Sequence, residues 1–396
     1  MAKAIAGQKG DKVRSDCYIE LTTNNNGGIK LNLKSKVDVM YGESIKSTIL
    51  EMCEFFGIKN AEIIVEDYGA LPSILMARFE LAVKRLNLGL DKEYLPVFNK
   101  KNNYKTSKEK LRRSRLYLPG NEPKFYPNAG LHKPDAIILD LEDSVAPSEK
   151  DAAQLIVRNA LRTIDFYGAE RMVRINQLPL GLDELKYIIP HNVHVILIPK
   201  VETAEQILQA EEKVNELKMA FKIKNDIFFM PIIESALGVI NAYSIASASK
   251  LNCALAIGLE DYTADIGAQR TNEGTESFFA RAMLVNAAKA AGIQAIDTVF
   301  SDVNDMEGLK NAVLEAKGLG FEGKGCIHPR QIQVVHNAFA PTESEIEKAQ
   351  KIVAAFEEAK AKGLGVVSIG SKMIDAPIVK RAVNTLKIAE LMNAIK

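Results

Sequence analysis

The run DAIILDLED at residues 135–143 decides the fold of the larger part of this chain. Its central residues, AIIL, are all apolar, and they are followed at once by Asp140, Glu142 and Asp143. A strand that is apolar on both faces is typical of a parallel sheet, because helices cover both sides of such a sheet. The run therefore predicts a buried parallel strand with a polar site at its carboxyl end.

Seven similar runs recur between residues 115 and 329, separated by stretches with helical periodicity. They are RLYLPG, RMVRIN, VHVILIPKVE, FFMPIIES, ALAIGLED, QAIDTVF and GKGCIHP. Eight strand–helix units of this kind predict an α/β fold, a (β/α)8 TIM barrel, in which the active site lies at the carboxyl ends of the strands. The polar residues at those ends are Asp140, Glu142, Asp143, Arg174, Lys200, Glu202, Glu234, Glu260, Asp261 and His328.

Two of these carboxylates are candidate metal ligands. Glu234 ends the run FFMPIIES, and Asp261 ends the run ALAIGLED. A pair of carboxylates with open positions suits Mg²⁺, which keeps several waters and takes further ligands from its substrate. The alternative is that each acid caps the helix that follows it, since acidic side chains are common at helix amino termini.

Arg174 is a cation inside the apolar run RMVRIN. A buried arginine is rare unless it is paired, and a guanidinium group matches a carboxylate with two parallel hydrogen bonds. Two interpretations stay open at this point. Arg174 holds the carboxylate of a substrate, or it forms a structural ion pair with Glu142 or another acid at the barrel mouth.

The composition predicts a soluble, cytoplasmic protein with no nucleic-acid or membrane partner. The 396 residues carry 51 Lys and Arg against 50 Asp and Glu, so no net charge attracts nucleic acid. The four cysteines lie far apart, which excludes a disulfide framework and makes a zinc site an unfavourable interpretation. No apolar run approaches the ~20 residues that span a bilayer, and the first residues have no apolar segment typical of a secretory signal.

Residues 1–88 predict a separate small α+β domain. CYIELTT and IKLNLKSKV alternate in polarity and are joined by NNNGG, a turn sequence typical of a β-hairpin. A helix, the strand AEIIVED and a second helix follow. Ser15, in KVRSDCYIEL, has the sequence context of a turn or cap residue.

Residues 89–110 predict a basic, flexible linker between the small domain and the barrel domain, which takes up residues 111–396. The surrounding stretch, DKEYLPVFNKKNNYKTSKEKLRRSR, is rich in lysine and lacks helical periodicity. A nucleic-acid-binding arm is the competing interpretation. It is disfavoured because the stretch lacks interleaved aromatic residues and glycines.

The ordered motifs of residues 111–396 resemble the citrate lyase beta subunit and the wider family of acyl-CoA and acyl-carrier lyases. The motifs are RRSRLYLPGN, DAIILDLEDSVAPSEKDAA, VRINQLP, IPKVETAE, IIESALGVINA, GLEDYTADIGAQRT, GIQAIDT, IHPRQI and SKMIDAP. The resemblance implies a barrel of the phosphoenolpyruvate/pyruvate-binding type, whose C-terminal segment reaches a neighbouring subunit. The small domain resembles the citrate lyase gamma subunit, an acyl carrier protein, in AIAGQKGD, RSDCYIEL and YGALPSILMARFE.

The resemblance implies a role for five residues. Arg174 is the expected catalytic and substrate-carboxylate-binding arginine, and Glu234 and Asp261 are the expected Mg²⁺ ligands, with Glu234 also facing the substrate. Asp375, in SKMIDAP, corresponds to a catalytic aspartate that relatives contribute to a neighbouring subunit. Ser15 corresponds to the serine that carries a covalent phosphoribosyl-dephospho-coenzyme A group.

The implied reaction is Mg²⁺-dependent retro-Claisen cleavage of a citryl thioester on the carrier, which yields oxaloacetate and an acetyl thioester. The implied partners are a separate acyl-transferase alpha subunit of a citrate lyase complex and further copies of this chain in a trimer or hexamer. The alternatives are a citramalyl-carrier lyase that yields pyruvate, a free malyl- or citramalyl-CoA lyase, and a non-catalytic scaffold. Citryl and citramalyl substrates differ by one carboxylate, for which Lys200 is a candidate second cation.

Overall fold

Eight parallel strands close into a barrel in the computed structural model of the chain, which describes residues 2–361, 367–369 and 372–393. The barrel strands are β5 (Ser114–Pro119), β6 (Ala136–Asp140), β7 (Glu170–Arg174), β8 (Val195–Ile198), β9 (Phe228–Ile233), β10 (Ala254–Ile257), β11 (Gln294–Asp297) and β12 (Gly323–Cys326). Each strand pairs with the next along the chain, and β12 pairs with β5 to close the barrel. The predicted (β/α)8 architecture is confirmed.

Helices follow the strands and cover the outside of the barrel. They are α3 (Tyr126–Ala129), α4 (Lys150–Thr163), α5 (Leu180–Glu184), α6 (Ala204–Ala220), α7 (Ala236–Ile240), α8 (Ala242–Ser247), α9 (Leu259–Asp265), α10 (Thr275–Ala290), α11 (Met306–Leu319) and α12 (Arg330–Phe339). Among the helices in the described ranges, none combines the length and the apolar character needed to cross a bilayer.

The interior of the barrel has an apolar core of its own. Met172, Leu197, Met230 and Ile232 are buried there, and Tyr117 packs against them. Such filling is normal for eight-stranded barrels, whose interior is packed with side chains and is not a channel. The polar residues at the strand ends therefore lie at one end of a largely apolar barrel interior.

The amino-terminal domain is a four-stranded sheet with two helices. Its elements are β1 (Lys3–Ala6), β2 (Cys17–Thr23), β3 (Ile29–Ser35), α1 (Asp38–Phe56), β4 (Ala61–Asp67) and α2 (Pro72–Arg85). The strand order is β1-β2-β4-β3, with β3 parallel to β4 and the other neighbours antiparallel. The small α+β domain is thus present, with β1 as an additional edge strand that the sequence did not reveal.

The predicted hairpin between β2 and β3 is wrong, because β4 lies between these strands. Gly27 and Gly28 have φ values of 98° and 69°, so the turn sequence does reverse the chain, but it leads β3 to the far edge of the sheet. Helix α1 supplies the crossover that a parallel β3–β4 pair requires. The more deeply buried β2 and β4 occupy the centre, whereas no residue of β3 is fully buried.

The segment 89–110 differs from the free, solvated linker that its composition predicts. Asn99 donates its backbone N–H to the Arg162 carbonyl at 2.8 Å. The buried Asn102 side chain donates to the Ile164 carbonyl at 2.6 Å. These carbonyls lie at the carboxyl end of α4, where helical C=O groups have no partner within the helix. The segment therefore packs along the barrel because its polar groups satisfy exposed helix-end carbonyls.

A buried ion pair joins the small domain to the barrel. Arg158 on α4 donates to both carboxylate oxygens of Glu80 on α2, at 2.9 and 2.7 Å, and both side chains are fully buried. Glu93, in the connecting stretch, lies 3.1 Å from the same guanidinium group. Small domain, connection and barrel thus meet at one charged contact.

The C-terminal segment forms a helical hairpin with its own small core. It comprises α13 (Glu343–Ala361), β13 (Val367–Ile369), β14 (Lys372–Ile374) and α14 (Ala376–Asn393). Ala349, Ile352, Ile374 and Ala382 form a cluster that is separate from the cores of the barrel. The hairpin is therefore an appendage to the barrel and not one of its strand–helix units.

We expect Arg158→Ala to lower the free energy of unfolding by about 3–5 kcal/mol, because it removes the two hydrogen bonds of the guanidinium and leaves the buried Glu80 carboxylate with only Lys84, at 3.6 Å, as a cation. The measurement is urea unfolding, and the double variant Arg158→Met/Glu80→Leu should recover most of the loss. Lys213→Ala, which removes an exposed pair with Glu216, is the control and should leave stability unchanged. Equal effects of the Arg158 and Lys213 variants would contradict the structural role of the buried pair.

Candidate active site

A cavity of about 380 Å³ opens at the carboxyl ends of the barrel strands. Arg174, Glu234 and Asp261, three of the five residues singled out from the sequence, line it together. Arg115 and Tyr117 from β5 line it as well. Residues far apart in the sequence meet here because parallel strands present their carboxyl ends at the same side of the barrel.

Arg174, at the end of β7, is held by two acids. One of them ends β6, and the other follows that strand. Its Nε and Nη2 donate to the two carboxylate oxygens of Asp140 at 2.7 and 2.8 Å. Its Nη1 lies 2.7 Å from Glu142 Oε2. Burial opposes the ionisation of Asp140, but the Arg174 guanidinium outweighs it and lowers the pKa of this carboxyl. The structural ion pair is therefore present, and the guanidinium also faces the cavity.

Glu234, after β9, is almost completely buried. Its Oε2 accepts the backbone N–H of Lys200 at 2.9 Å. Burial, followed by the negative charge of Glu142, raises the pKa of Glu234 to about 8. A Cβ atom at Gly258 would lie only 2.3 Å from Glu234 Oε1, so a glycine at this position makes room for the carboxylate.

Asp261 is half-exposed, and it is linked to the other acids by Lys200. The Lys200 ammonium lies 3.7 Å from Asp261 Oδ1, 2.9 Å from Glu142 Oε1 and 3.3 Å from Asp143 Oδ1. Lys200 has a φ of 52°, an uncommon backbone conformation for a residue other than glycine. One cation therefore stands among three carboxylates at the cavity mouth.

The interpretation that Glu234 and Asp261 cap helices is wrong. Helix α7 is capped by Ser235, whose hydroxyl accepts the Gly238 N–H at 3.1 Å. Helix α9 begins after Gly258 and, in the described chain, no side chain caps it. Asp261 thus lies within the first turn of α9, with its carboxylate directed towards Lys200.

The acids at the mouth fit a magnesium ion. Glu234 and Asp261 offer hard carboxylate oxygens, whereas Glu142 Oε2 is already paired with the Arg174 guanidinium at 2.7 Å. No group of three or more His, Cys, Asp or Glu side chains in the described ranges is arranged as a complete metal site. Glu234 and Asp261 are the candidate ligands, since Mg²⁺ binds through one or two carboxylates and completes its octahedron with water and substrate oxygens.

The structure does not bring Asp375 or Ser15 into this cavity. Asp375 follows β14, and its carboxylate accepts the Ile378 N–H at 3.2 Å at the start of α14. Ser15 lies in the small domain, has a φ of 53°, and donates its backbone N–H to the Tyr68 carbonyl at 3.1 Å. Both roles therefore remain predictions about other contacts of the chain.

The loop that carries Ser15 is nevertheless held towards the mouth of the barrel. Its neighbour Asp16 accepts hydrogen bonds from Nε and Nη2 of the buried Arg78 at 3.0 and 2.7 Å. Arg78 Nη1 lies 3.5 Å from Glu149, which is in the connection between β6 and α4. That connection leaves the carboxyl end of β6, the side on which the cavity opens.

Sequence reasoning missed Arg115. The run RLYLPG predicts only a strand, and Arg115 is also the last residue of the basic stretch DKEYLPVFNKKNNYKTSKEKLRRSR. The signal that could have identified Arg115 is the two-residue period of a strand, which places Arg115 and Tyr117 on the same face. Since Tyr117 points into the barrel, Arg115 on the same face does so too.

Two family models match the chain. The HpcH/HpaI aldolase/citrate lyase model matches residues 113–329, which is the barrel from β5 through the end of β12. The malonate decarboxylase delta subunit model, an acyl-carrier model, matches residues 2–86. The boundary between the two matches lies in the segment that packs along α4.

Curated relatives match the barrel part. The citrate lyase subunit beta of Leuconostoc mesenteroides subsp. cremoris is 43% identical over 284 residues, covering 71% of this chain and 94% of the relative. The citrate lyase subunit beta of Haemophilus influenzae is 44% identical and covers 71% and 98%. The mitochondrial citramalyl-CoA lyase of Mus musculus is 33% identical and covers 75% and 90%.

Solved structures show the same barrel. CitE of Mycobacterium tuberculosis, in complex with magnesium, acetoacetate and coenzyme A, superposes with a TM-score of 0.59 at 27% identity and covers 72% of this chain and 100% of that one. The citrate lyase beta subunit of M. tuberculosis with oxaloacetate and magnesium gives a TM-score of 0.51 at 28% identity, covering 60% and 100%. The chain therefore belongs to the HpcH/HpaI aldolase/citrate lyase family and is a carbon–carbon lyase.

Proposed function

We propose that the chain cleaves a citryl thioester, carried by its own amino-terminal domain, to oxaloacetate and an acetyl thioester as a subunit of a citrate lyase complex. The observation that carries the proposal is the shared cavity of Arg174, Glu234 and Asp261 at the carboxyl ends of the barrel strands. The relatives named citrate lyase subunit beta support it. So does the oxaloacetate and magnesium in a related structure.

Glu234 and Asp261 would hold Mg²⁺, and Arg174 would bind a substrate carboxylate. The ion would stabilise negative charge on the substrate oxygen that changes from hydroxyl to ketone. Asp140 holds the Arg174 guanidinium through two hydrogen bonds, which fixes the orientation in which it meets the substrate. The backbone N–H of Lys200 holds Glu234 through one hydrogen bond to Oε2.

The cleavage moves electrons from the breaking C–C bond onto the thioester carbonyl. The substrate hydroxyl loses its proton and becomes the ketone of oxaloacetate, while the departing carbon becomes an enolate of the thioester. A general acid must then protonate that carbon to give the acetyl thioester. We assign this step to Asp375 of a neighbouring subunit, since Asp375 lies outside the cavity of its own barrel. The proposal therefore includes a trimer or hexamer.

The small domain would carry the substrate on a phosphoribosyl-dephospho-coenzyme A group at Ser15. The match of this domain to an acyl-carrier model supports the assignment. The contacts of Asp16 with Arg78, and of Arg78 with Glu149, hold the serine loop on the side of the cavity. A tethered thioester is then present at a high effective concentration. A separate alpha subunit with acyl-transferase activity would load it.

Citramalyl thioester is the second candidate substrate, with pyruvate as its product. The relative named citramalyl-CoA lyase favours it. A lyase of free acyl-CoA, such as malyl- or citramalyl-CoA, is a further variant, which the relative named malyl-CoA lyase favours. Citryl and citramalyl thioesters differ by one carboxylate, so the cationic side chains of the cavity decide which of the two is the preferred substrate.

Asp375→Ala should lower kcat by about 10²–10⁴-fold, the usual contribution of a general acid, and leave Mg²⁺ affinity unchanged. Cleavage of citryl-CoA in a spectrophotometric assay and Mg²⁺ titration calorimetry measure the two effects. Mixing this variant with inactive Glu234→Gln protein should restore part of the activity, because some mixed oligomers contain one intact composite site. Cleavage by Asp375→Ala at the wild-type rate would show that the assignment is wrong.

Gly258→Ala should weaken Mg²⁺ binding by about 10–100-fold, because the new Cβ displaces the Glu234 carboxylate from its position. The measurement is Mg²⁺ titration calorimetry on folded protein. Gly318→Ala in α11 is the matched control, since a Cβ there meets nothing within 4 Å. Unchanged Mg²⁺ affinity in Gly258→Ala would show that Glu234 is not a ligand of the metal.

Intact-mass spectrometry with peptide mapping, on protein purified from its native source, should find phosphoribosyl-dephospho-coenzyme A on Ser15. Ser15→Ala should then lose cleavage of the self-carried thioester but still cleave free citryl-CoA, because the barrel cavity is untouched. An unmodified Ser15 in cells that actively use the enzyme would contradict the carrier role and would leave the free acyl-CoA lyase as the better proposal.

A further inference from the structure

Arg115 lies at the floor of the cavity, inside the barrel. Its side chain is 2% exposed and lines the same cavity as Glu234 and Asp261. Its Nη1 contacts Met230 Sδ at 3.1 Å, and its Nη2 donates to the Asp297 carbonyl at 3.3 Å. The guanidinium group is thus surrounded by the apolar interior core and open only towards the cavity.

The charge of Arg115 has no anionic partner among the described residues. Its Nε has no hydrogen-bond acceptor, and most of the five N–H groups of a guanidinium remain unused. No carboxylate of the described chain lies within ion-pair distance of it. A cation buried in this way is unfavourable unless it is paired and hydrogen-bonded.

The other buried arginines show how this chain normally neutralises such a charge. Five of them form an ion pair with a carboxylate: Arg78 with Asp16, Arg112 with Glu170, Arg113 with Asp135, Arg158 with Glu80 and Arg281 with Asp297. Arg171 lacks a carboxylate but contacts backbone carbonyls, His194 and the Tyr104 ring, outside the cavity. Among these arginines Arg115 lines the cavity at the carboxyl ends of the strands, whereas Arg281, which lines a different cavity, is paired with Asp297.

Two guanidinium groups therefore stand at different depths of one cavity, separated by Tyr117. Arg174 lies 5.4 Å from the centre of the Tyr117 ring, and Asp140 and Glu142 neutralise it. Arg115 lies two residues before Tyr117 on the same face of β5 and is not neutralised. A carboxylate is the natural partner of a guanidinium, because the two groups form parallel charge-assisted hydrogen bonds.

We propose that Arg115 forms a carboxylate subsite at the floor of the cavity, which selects a dicarboxylic over a monocarboxylic 2-oxo acid product. The inference rests on the proposed cleavage reaction and decides between its two substrates. Oxaloacetate has the additional carboxylate that pyruvate lacks, so the subsite favours the citryl thioester. Arg115 thereby replaces Lys200 as the second cation, since Lys200 is already engaged by Glu142, Asp143 and Asp261.

The test compares two soluble substrates, citryl-CoA and citramalyl-CoA, in wild-type protein and Arg115→Met. Methionine keeps an unbranched side chain of similar length but removes the charge and all N–H donors. We expect kcat/KM for citryl-CoA to fall about 100-fold and that for citramalyl-CoA to change less than about 3-fold. The ratio of the two values does not depend on how much of the sample is folded. Equal changes for both substrates, or none, would overturn the proposal.

Arg171→Met is the matched control, because it also removes a buried guanidinium without a carboxylate partner, but outside the cavity. Its ratio of the two kcat/KM values should equal that of the wild type. A shifted ratio in this control would show that general loosening of the barrel, and not a subsite, sets the selectivity, and it would overturn the proposal.

Product binding tests the subsite without turnover. With Mg²⁺ present, titration calorimetry should give wild-type protein a preference for oxaloacetate over its 4-methyl ester, and Arg115→Lys should reduce that preference. Arg115-dependent binding of oxaloacetate by protein that cleaves neither thioester would support the subsite and contradict the proposed reaction. Cleavage of citryl-CoA with a preference that Arg115→Met leaves intact would support the reaction and overturn the subsite.

Discussion

Closure of the barrel between its first and last strands is the constraint on which the rest of the site depends. Backbone pairing of β12 with β5 places Gly325 beside Arg115. A Cβ atom at Gly323 would lie 2.0 Å from the Arg112 carbonyl oxygen, so the seam requires a glycine there. Only when β5 is held at this seam do its inward side chains face the acids of β9 and α9 across the cavity.

The charges of the cavity are ordered by depth. Acids dominate the mouth, where Lys200 and Arg174 bridge Glu142 and its neighbours, and this negative rim would favour the proposed divalent cation. The floor carries the opposite sign, because Arg115 has no acid beside it in the described chain. A dicarboxylic substrate bound to a metal at the rim would present its second carboxylate to that floor. Burial raises the pKa of Glu234, and the negative charge of Glu142 at the mouth raises it further.

The small domain is docked on the barrel by a buried charge pair and by the connecting segment. Glu80 and Arg158 are shielded from water, where an ion pair is specific in geometry and costly to break. Arg78, which binds Asp16 within the small domain, also reaches Glu149 of the barrel at 3.5 Å. The connecting segment adds hydrogen bonds to the end of α4. This docking leaves the serine loop on the cavity side, so a prosthetic group at Ser15 would start from a fixed point near the mouth.

Local patterns in the sequence were sufficient for the barrel and for the three residues that share its cavity. Strand and helix periods arise from contacts within a few residues, and the acids at strand ends follow from the same local pattern. Three features depended on the tertiary structure. They are the order of β2, β4 and β3, the packing of residues 89–110 and the ion pairs of Lys200. The isolation of Arg115 depended on it too, because the absence of a partner for a charge is a property of the whole surrounding fold. The sequence by itself determined the barrel and three polar residues that meet in its cavity, and the tertiary structure decided which charged side chains have a partner, because ion pairs form between residues that lie far apart in the sequence.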